Sequence, residues 1–196
     1  MIPAVLVPDA VAIVLLAPAT SVLAAARRHR RATATLLPAL GAVLTLVVLS
    51  IGASLAASSS TRSLGQIAVP HATLAAAALA SAAIGALSGR FFADVLDAAA
   101  ASGVIVLAAT FALLVAGDVA GGLPIAVIDA GLTASPLVAV ASAADIDLLR
   151  SDTWYHASPI AHRSFSYPVW YHAAGSYALI SLIGAVVFIR NAERSL

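Results

Sequence analysis

Apolar residues fill most of this chain in long runs separated by short polar segments. The runs cover approximately residues 2–26, 32–57, 67–89, 98–116 and 173–189. A helix of about 20 apolar residues is long enough to cross the hydrocarbon core of a bilayer. The pattern therefore predicts an all-α bundle of five transmembrane helices.

A further apolar segment, residues 123–143, differs from these runs. It reads LPIAVIDAGLTASPLVAVASA and contains Asp129, Gly131 and two prolines, Pro124 and Pro136. Proline interrupts the backbone hydrogen bonds of a helix, and such breaks are tolerated at bilayer depth only inside protein or beside water. The segment is therefore predicted to be re-entrant, with a sixth span as the alternative. The positive-inside rule does not distinguish these two topologies, because the same number of arginines lies on the cytoplasmic side in each.

Composition supports a single membrane domain over residues 1–196. The chain is 62% hydrophobic and 10% charged, with a mean hydropathy of +1.03, whereas soluble domains carry about 25% charged residues. It contains no cysteine, which excludes disulfides and thiolate chemistry, and no lysine, which excludes a Schiff-base or P-loop lysine. The net charge of +1 gives no indication of nucleic-acid binding.

The arginine cluster after the first run orients the predicted topology. Basic residues near the ends of spans favour the cytoplasmic side, so the interpretation is a multi-pass protein of the cell membrane with its N-terminus outside and its C-terminus in the cytoplasm. The residues expected to face the cytoplasm are Arg27, Arg28, Arg30, Arg31, Arg90 and Asp94.

Aromatic residues and histidines are concentrated between residues 145 and 172. Trp154, Tyr155 and Trp170 suit an interfacial segment, because amphipathic aromatic rings collect at headgroup level. The alternative is a copper, zinc or haem site, since imidazole and carboxylate groups are common metal ligands. Its ligands would come from His71, Asp152, His156, His162 and His172. The interfacial interpretation is favoured, and His71, just after Pro70, is interpreted as a hydrated helix end.

Among the acidic residues, Asp129 is the one predicted to lie within the membrane, where ionisable groups are candidates for function. Gly85 and Gly89 have the spacing that permits close helix approach, a spacing expected by chance in so alanine-rich a chain. The chain contains no G-x-S-x-G, H-E-x-x-H or P-loop motif, so it is not predicted to be an enzyme.

Residues 135–194 resemble the C-terminal end of permease subunits of the ABC-2 type of ABC transporter. Ser135 and Pro136 match the Asn-Pro or Ser-Pro dipeptide of that family, and the stretch from Trp154 to Pro168 matches its extracellular aromatic region. Residues 173–189 match the last span, and 190–194 its basic tail. The sequence AIGALSGRFFADVLDAAAASG is similar to the family's middle pair of spans and their short cytoplasmic turn. The chain departs from the family pattern by opening directly on an apolar run.

The resemblance implies a permease subunit that pairs with a separate ATP-binding subunit and forms a dimer of membrane subunits. ATP would be bound by the partner, with no cofactor in this chain. Asp129, Pro136, Trp154, Tyr155 and Trp170 would then shape an extracellular gate, while the arginine cluster and SGRFFAD would face the ATPase. The alternatives are a membrane anchor of a redox complex, holding haem or copper through the histidines, and a structural or assembly subunit.

Overall fold

The computed structural model describes residues 2–25, 32–57, 64–115, 119, 122–151 and 165–193. Seven helices of at least eight residues account for most of them, and no strand occurs in these ranges. The helices are α1 Ile2–Ala25, α2 Ala32–Ala57, α3 Leu64–Phe91, α4 Val95–Val115, α5 Ile125–Ala134, α6 Pro136–Ala143 and α7 Trp170–Glu193. The all-α bundle expected from the sequence is confirmed.

Four helices, α1, α3, α4 and α7, are long and apolar enough to cross a membrane. Helix α2 is 26 residues long but contributes a shorter apolar stretch, Leu40–Ala56. At about 1.5 Å per residue, its full length is close to 39 Å, enough to return the chain from one end of the bundle to the other. Helices α5 and α6 together pass the same test of apolar length but are bent by 82° at a short break.

Helices α1 and α3 lie side by side and run in the same direction. Asp9 and His71, near their beginnings, are both linked to Ser50, near the end of α2. Further along, Gly85 of α3 lies directly against the backbone of Pro18 in α1. Helix α2 is therefore antiparallel to both, and the close approach noted at Gly85 serves a contact within this chain.

Helix α7 is also parallel to α3. Gly184 lies against Ala83, and further along the guanidinium carbon of Arg90 lies 4.7 Å from the ring centroid of Phe188. The short turn between α3 and α4 makes α4 antiparallel to α3. The end of α4 and the beginning of α7 consequently lie at the same end of the bundle. The segment between them leaves and returns on one side, which supports the re-entrant interpretation.

The break between α5 and α6 falls at Ser135, where the sequence places Pro136. Ser135 has an extended ψ of 111°, and its side chain accepts a hydrogen bond from the amide of Val138, so it caps α6. Proline suits the first turn of a helix, where its missing N–H is not needed. Helix α6 ends at a turn in which Asp145 adopts a positive φ of 56° and the Ile146 amide donates to Ala141, the pattern of a Schellman cap.

The interpretation of His71 as a hydrated helix end is wrong. Helix α3 begins at Leu64, so Pro70 and His71 lie within its second and third turns, and His71 is only 3% exposed. The helix extends past the proline because a single lost hydrogen bond in a membrane helix is compensated by neighbouring helices. Helix α7 likewise begins at Trp170, so Trp170 and His172 belong to its first turn.

The re-entrant path predicts which positions share a side of the membrane. Because the chain has no cysteine, the single variants Gly122→Cys, Ser166→Cys and Asp97→Cys report on one site each, and all three positions are exposed. We expect a membrane-impermeant maleimide to label positions 122 and 166 in intact cells, and position 97 only after permeabilisation. Opposite behaviour of positions 122 and 166 would mean that α5 and α6 form a crossing span.

Candidate functional site

A cavity of about 300 Å³ lies where α5 bends into α6. Both arms line it, through Ala130, Thr133 and Ala134 on one side of the break and Pro136 on the other. The remaining walls come from the middle of α3, from α4 and from α7, and most of the lining side chains are alanine or other apolar residues. The cavity is as large as the smaller ligand-binding pockets of proteins, which begin at about 300 Å³.

Hydrogen bonds between helices hold the bend against the bundle. The buried hydroxyl of Ser135 donates to the carbonyl of Thr110 in α4 at 2.8 Å. The hydroxyl of Tyr177 in α7 donates to the carbonyl of Thr133 at 2.9 Å. The break in the backbone ladder is thus surrounded by protein on two sides, as a non-helical junction at membrane depth requires.

Asp129 lies on α5, on the side of the pair that meets residues 165–169. Its carboxylate accepts a hydrogen bond of 3.4 Å from the amide of Ser166, and its carbonyl accepts one from the Thr133 hydroxyl at 2.8 Å. The side chain is partly exposed. Asp129 therefore ties α5 to the segment before α7, while Pro136 is buried at the bend.

The segment between α6 and α7 packs over α5 and α6 through Tyr167. The Tyr167 hydroxyl donates to Asp147 at 2.5 Å and accepts from the amide of Leu149 at 3.1 Å. Burial, followed by the hydrogen bond to Asp147, raises the pKa of Tyr167 to about 12. The phenol consequently stays protonated across the physiological range, and this link would be lost only as the pH rises from about 10 through 12.

A second polar group lies between α1, α2 and α3, within the apolar bundle. The hydroxyl of Ser50 donates to the carboxylate of Asp9 at 2.9 Å and lies 3.4 Å from Nε2 of His71. Ser54 Oγ lies 3.3 Å from the same nitrogen, and Nδ1 of His71 lies 2.7 Å from the carbonyl oxygen of Ile67. Ser50, Ser54 and His71 are at most 3% exposed.

This group differs from a nucleophile site. In a Ser-His-Asp triad the carboxylate orients the imidazole, which activates the serine. Here the carboxylate of Asp9 bonds the serine, and a backbone carbonyl orients His71. The arrangement is a bridge between a carboxylate and an imidazole through one hydroxyl.

Sequence reasoning predicted Asp129 alone as an embedded acid and did not single out Asp9. The signal was present, because Asp9 lies inside the apolar stretch Leu6–Ala24 of α1. An ionisable residue in such a stretch is a candidate for function. What the sequence did not give was its partner, because Asp9 and His71 are brought together only by the packing of three helices.

The predicted metal ligands are only partly within the described residues. Asp152, His156 and His162 lie outside them, as do Trp154 and Tyr155. His172 is exposed on α7, with its ring against that of Tyr171. Among the described residues, no group of three histidine, cysteine, aspartate or glutamate side chains could hold a metal.

The residues predicted to face the cytoplasm are also only partly within the described residues. Arg27, Arg28, Arg30 and Arg31 fall outside the described residues. Arg90 lies over the ring of Phe188, which joins the ends of α3 and α7, and Asp94 accepts a hydrogen bond from the amide of Leu96 at 2.6 Å, which caps α4. On either side of the turn between α3 and α4, Phe91 and Leu96 are 74% and 78% exposed.

Comparisons with protein-family models, with curated proteins and with solved structures find no match to this chain.

Proposed function

We propose that this chain is a membrane permease subunit of an ATP-driven transporter, which works with a separate ATP-binding subunit. The observation that carries the proposal is the cavity at the bend between α5 and α6. Discontinuous helices in transporters commonly form the substrate site near the middle of the membrane. A broken pair with an open space at the break is the arrangement that such a substrate site uses.

The walls of the cavity favour an apolar substrate or the apolar part of a larger one. Ala77 and Ala80 of α3, Ala109 of α4 and Ala130 of α5 leave room by their small side chains. Near the break, the Tyr177 hydroxyl is already occupied by the Thr133 carbonyl. The pocket therefore offers surface for dispersion contacts and few free polar groups for recognition.

The opposite end of the bundle offers a surface for the ATP-binding subunit. The turn between α3 and α4 exposes Phe91 and Leu96 beside the charged residues Arg90 and Asp94. Exposed aromatic and aliphatic side chains next to charges suit a protein contact. Because α3, α4 and α7 all border the cavity, movement of this turn would be transmitted to the bend.

The redox-anchor alternative receives less support. Both ring nitrogens of His71 lie within hydrogen-bonding distance of protein atoms, Nδ1 of the Ile67 carbonyl and Nε2 of two serines. Metal ligation would require breaking one of these contacts in a buried position. No observation on the described residues favours this second function over transport.

The test is purification of the full chain from its native membranes in mild detergent, followed by identification of co-purifying proteins and an ATPase assay. We expect a P-loop protein in a fixed ratio and vanadate-sensitive ATP hydrolysis. The variant Ala130→Phe fills the cavity from the re-entrant arm, and we expect it to keep the partner but lose about ten-fold or more of the ATPase activity, because binding and movement at the bend are blocked.

The control is Ala108→Phe, which adds the same ring at an exposed position of α4 that does not line the cavity. It should retain both the partner and the activity. Recovery of the chain without any ATP-binding protein, together with no ATP hydrolysis in the preparation, would overturn the pairing. Equal activity of the two phenylalanine variants would remove the cavity from the mechanism.

A further inference from the structure

The group formed by Asp9, Ser50 and His71 has a hydrogen count that fixes how it can be arranged. Nδ1 of His71 lies 2.7 Å from the Ile67 carbonyl, so this nitrogen carries a hydrogen and donates it. When the imidazole is neutral, Nε2 is therefore an acceptor. Ser50 has a single hydroxyl hydrogen, which it gives to Asp9, and the hydroxyl of Ser54 is left to donate to Nε2.

One additional proton on Nε2 ends the donation from Ser54, because the nitrogen then carries a hydrogen and no longer accepts. A hydrogen on Nε2 can be donated to Oγ of Ser50, while Ser50 continues to donate to Asp9. The imidazolium and the carboxylate then compensate each other through one shared hydroxyl. Without the proton, the neutral imidazole leaves the partly exposed carboxylate of Asp9 as a net negative charge within an apolar span, where an uncompensated charge is costly.

The described helices that pack around this group carry few other charges. The segment after α6, part of the cluster against which Val7 and Val11 of α1 pack, adds Asp145, Asp147 and Arg150, of which Asp147 is paired with Arg150 and bonded by Tyr167. Helices α2 and α6 contain no titratable residue, and α1 has Asp9 alone. The other ionisable residues of α3 and α4, Arg90 and Asp97, lie at the opposite end of the bundle. On α7, Tyr171 and His172 are exposed with their rings in contact, Tyr177 bonds Thr133, and Arg190 and Glu193 are in the last turn.

We propose that Asp9, Ser50 and His71 form a proton-binding site inside the bundle, in which Ser50 passes a proton between the imidazole and the carboxylate. In the transfer the N–H bond at Nε2 breaks as an O–H bond forms on Ser50. The original O–H bond of Ser50 breaks as one forms on Oδ2 of Asp9. Atoms and charge balance, and no oxidant or reductant is needed. The inference does not depend on the pairing with an ATPase.

The helices that carry this site also pack against α6. Ala139 and Val140 of α6 belong to the same buried cluster as Leu6 and Ala10 of α1 and Leu74 of α3. The helices that carry the proton site are therefore the wall against which α6 packs.

Nitrogen-15 NMR of the full chain in lipid nanodiscs, with labelled histidine, tests the proposal. The His71 signals are assigned by their loss in His71→Gln. We expect the Nε2 shift of His71 to show both the protonated and the unprotonated imidazole as the pH is varied. In Asp9→Asn we expect the change between the two forms to move to lower pH, because the imidazolium loses the carboxylate that favours it. In a Ser50→Ala background, the Asp9→Asn change should have a smaller effect, because the charge attraction remains but the hydrogen-bonded connection through the hydroxyl is gone.

Ser54→Ala is the matched control, because Ser54 lies near His71 but has no hydrogen bond to Asp9 among those observed. In that background the Asp9→Asn shift should persist. If a variant fails to fold, carbon-13 labelling of the aspartate carboxyls in the unmodified chain gives a second measurement, in which one aspartate signal should change at the same pH as His71. A His71 that does not titrate, or a midpoint unchanged by Asp9→Asn, would overturn the proposal.

Discussion

We expect Gly85→Ala to lose about 1–3 kcal/mol of unfolding free energy, the usual cost of adding an atom to a well-packed contact. A Cβ at this position would lie 2.6 Å from Cα of Pro18 and within 3 Å of its carbonyl carbon and oxygen. These are backbone atoms of α1, which cannot rotate away as the end of a side chain could. Because α1 and α3 carry Asp9 and His71, their separation would also stretch the bridge through Ser50.

The measurement is unfolding of the purified chain in mixed micelles with increasing sodium dodecyl sulfate. The control is Gly103→Ala in α4, where an added Cβ meets no atom within 4 Å. That change should stabilise the chain by about 0.5–1 kcal/mol, since alanine is the better helix former. If both variants unfolded at the same detergent fraction, the contact of α3 with Pro18 would not be as close as described.

The second large effect is expected for Ser135→Ala, at the break between α5 and α6. The change removes the hydrogen bond to the Thr110 carbonyl and the cap on α6. A buried hydrogen bond contributes about 1 kcal/mol and a helix N-cap about 1 kcal/mol, so the expected loss is about 2 kcal/mol. Helices α5 and α6 should also move more freely, because their link to α4 at the bend is gone.

Ser102→Ala provides the comparison. Ser102 is as buried as Ser135, but its hydroxyl bonds the Ala99 carbonyl of its own helix. Its loss should cost about 0.5 kcal/mol or less, because no contact between helices is removed. Hydrogen exchange of the amides in α5 and α6 gives an independent measure, and we expect faster exchange in the first variant alone. Unchanged exchange in Ser135→Ala would show that the bend does not depend on this hydroxyl.

Much of the architecture could be predicted because apolar length has a direct physical meaning in a membrane. Runs that match the thickness of the bilayer core must become helices, since no water is available for their backbone groups. The interruption at Pro136 and the acid at Asp129 indicated a broken segment for the same reason, and the structure bends it by 82°. The helix ends were less accessible, as the extension of α3 to Leu64 illustrates, because a single proline is tolerated within a membrane helix.

The polar site within α1, α2 and α3 could not be predicted in the same way. Asp9, Ser50 and His71 are separated by 41 and 21 residues, and each alone resembles a helix residue near the membrane surface. Hydrophobic periodicity did not indicate which side of each helix faces its neighbours, because the helices are apolar on nearly every side. The hydrogen bonds of the buried His71 depend on which residues of other helices face it, and one sequence does not contain that information.

The sequence by itself determined that this chain is an all-α membrane protein, because composition and apolar length fix the solvent in which each segment is stable. Tertiary structure alone decided that α3 and α7 run parallel, that the pair between them opens a cavity, and that Asp9 and His71 share a serine. These features depend on close contacts between distant segments, such as Gly85 on Pro18 and Ser135 on Thr110. Their energies come from the fit of particular side chains, which hydropathy does not encode.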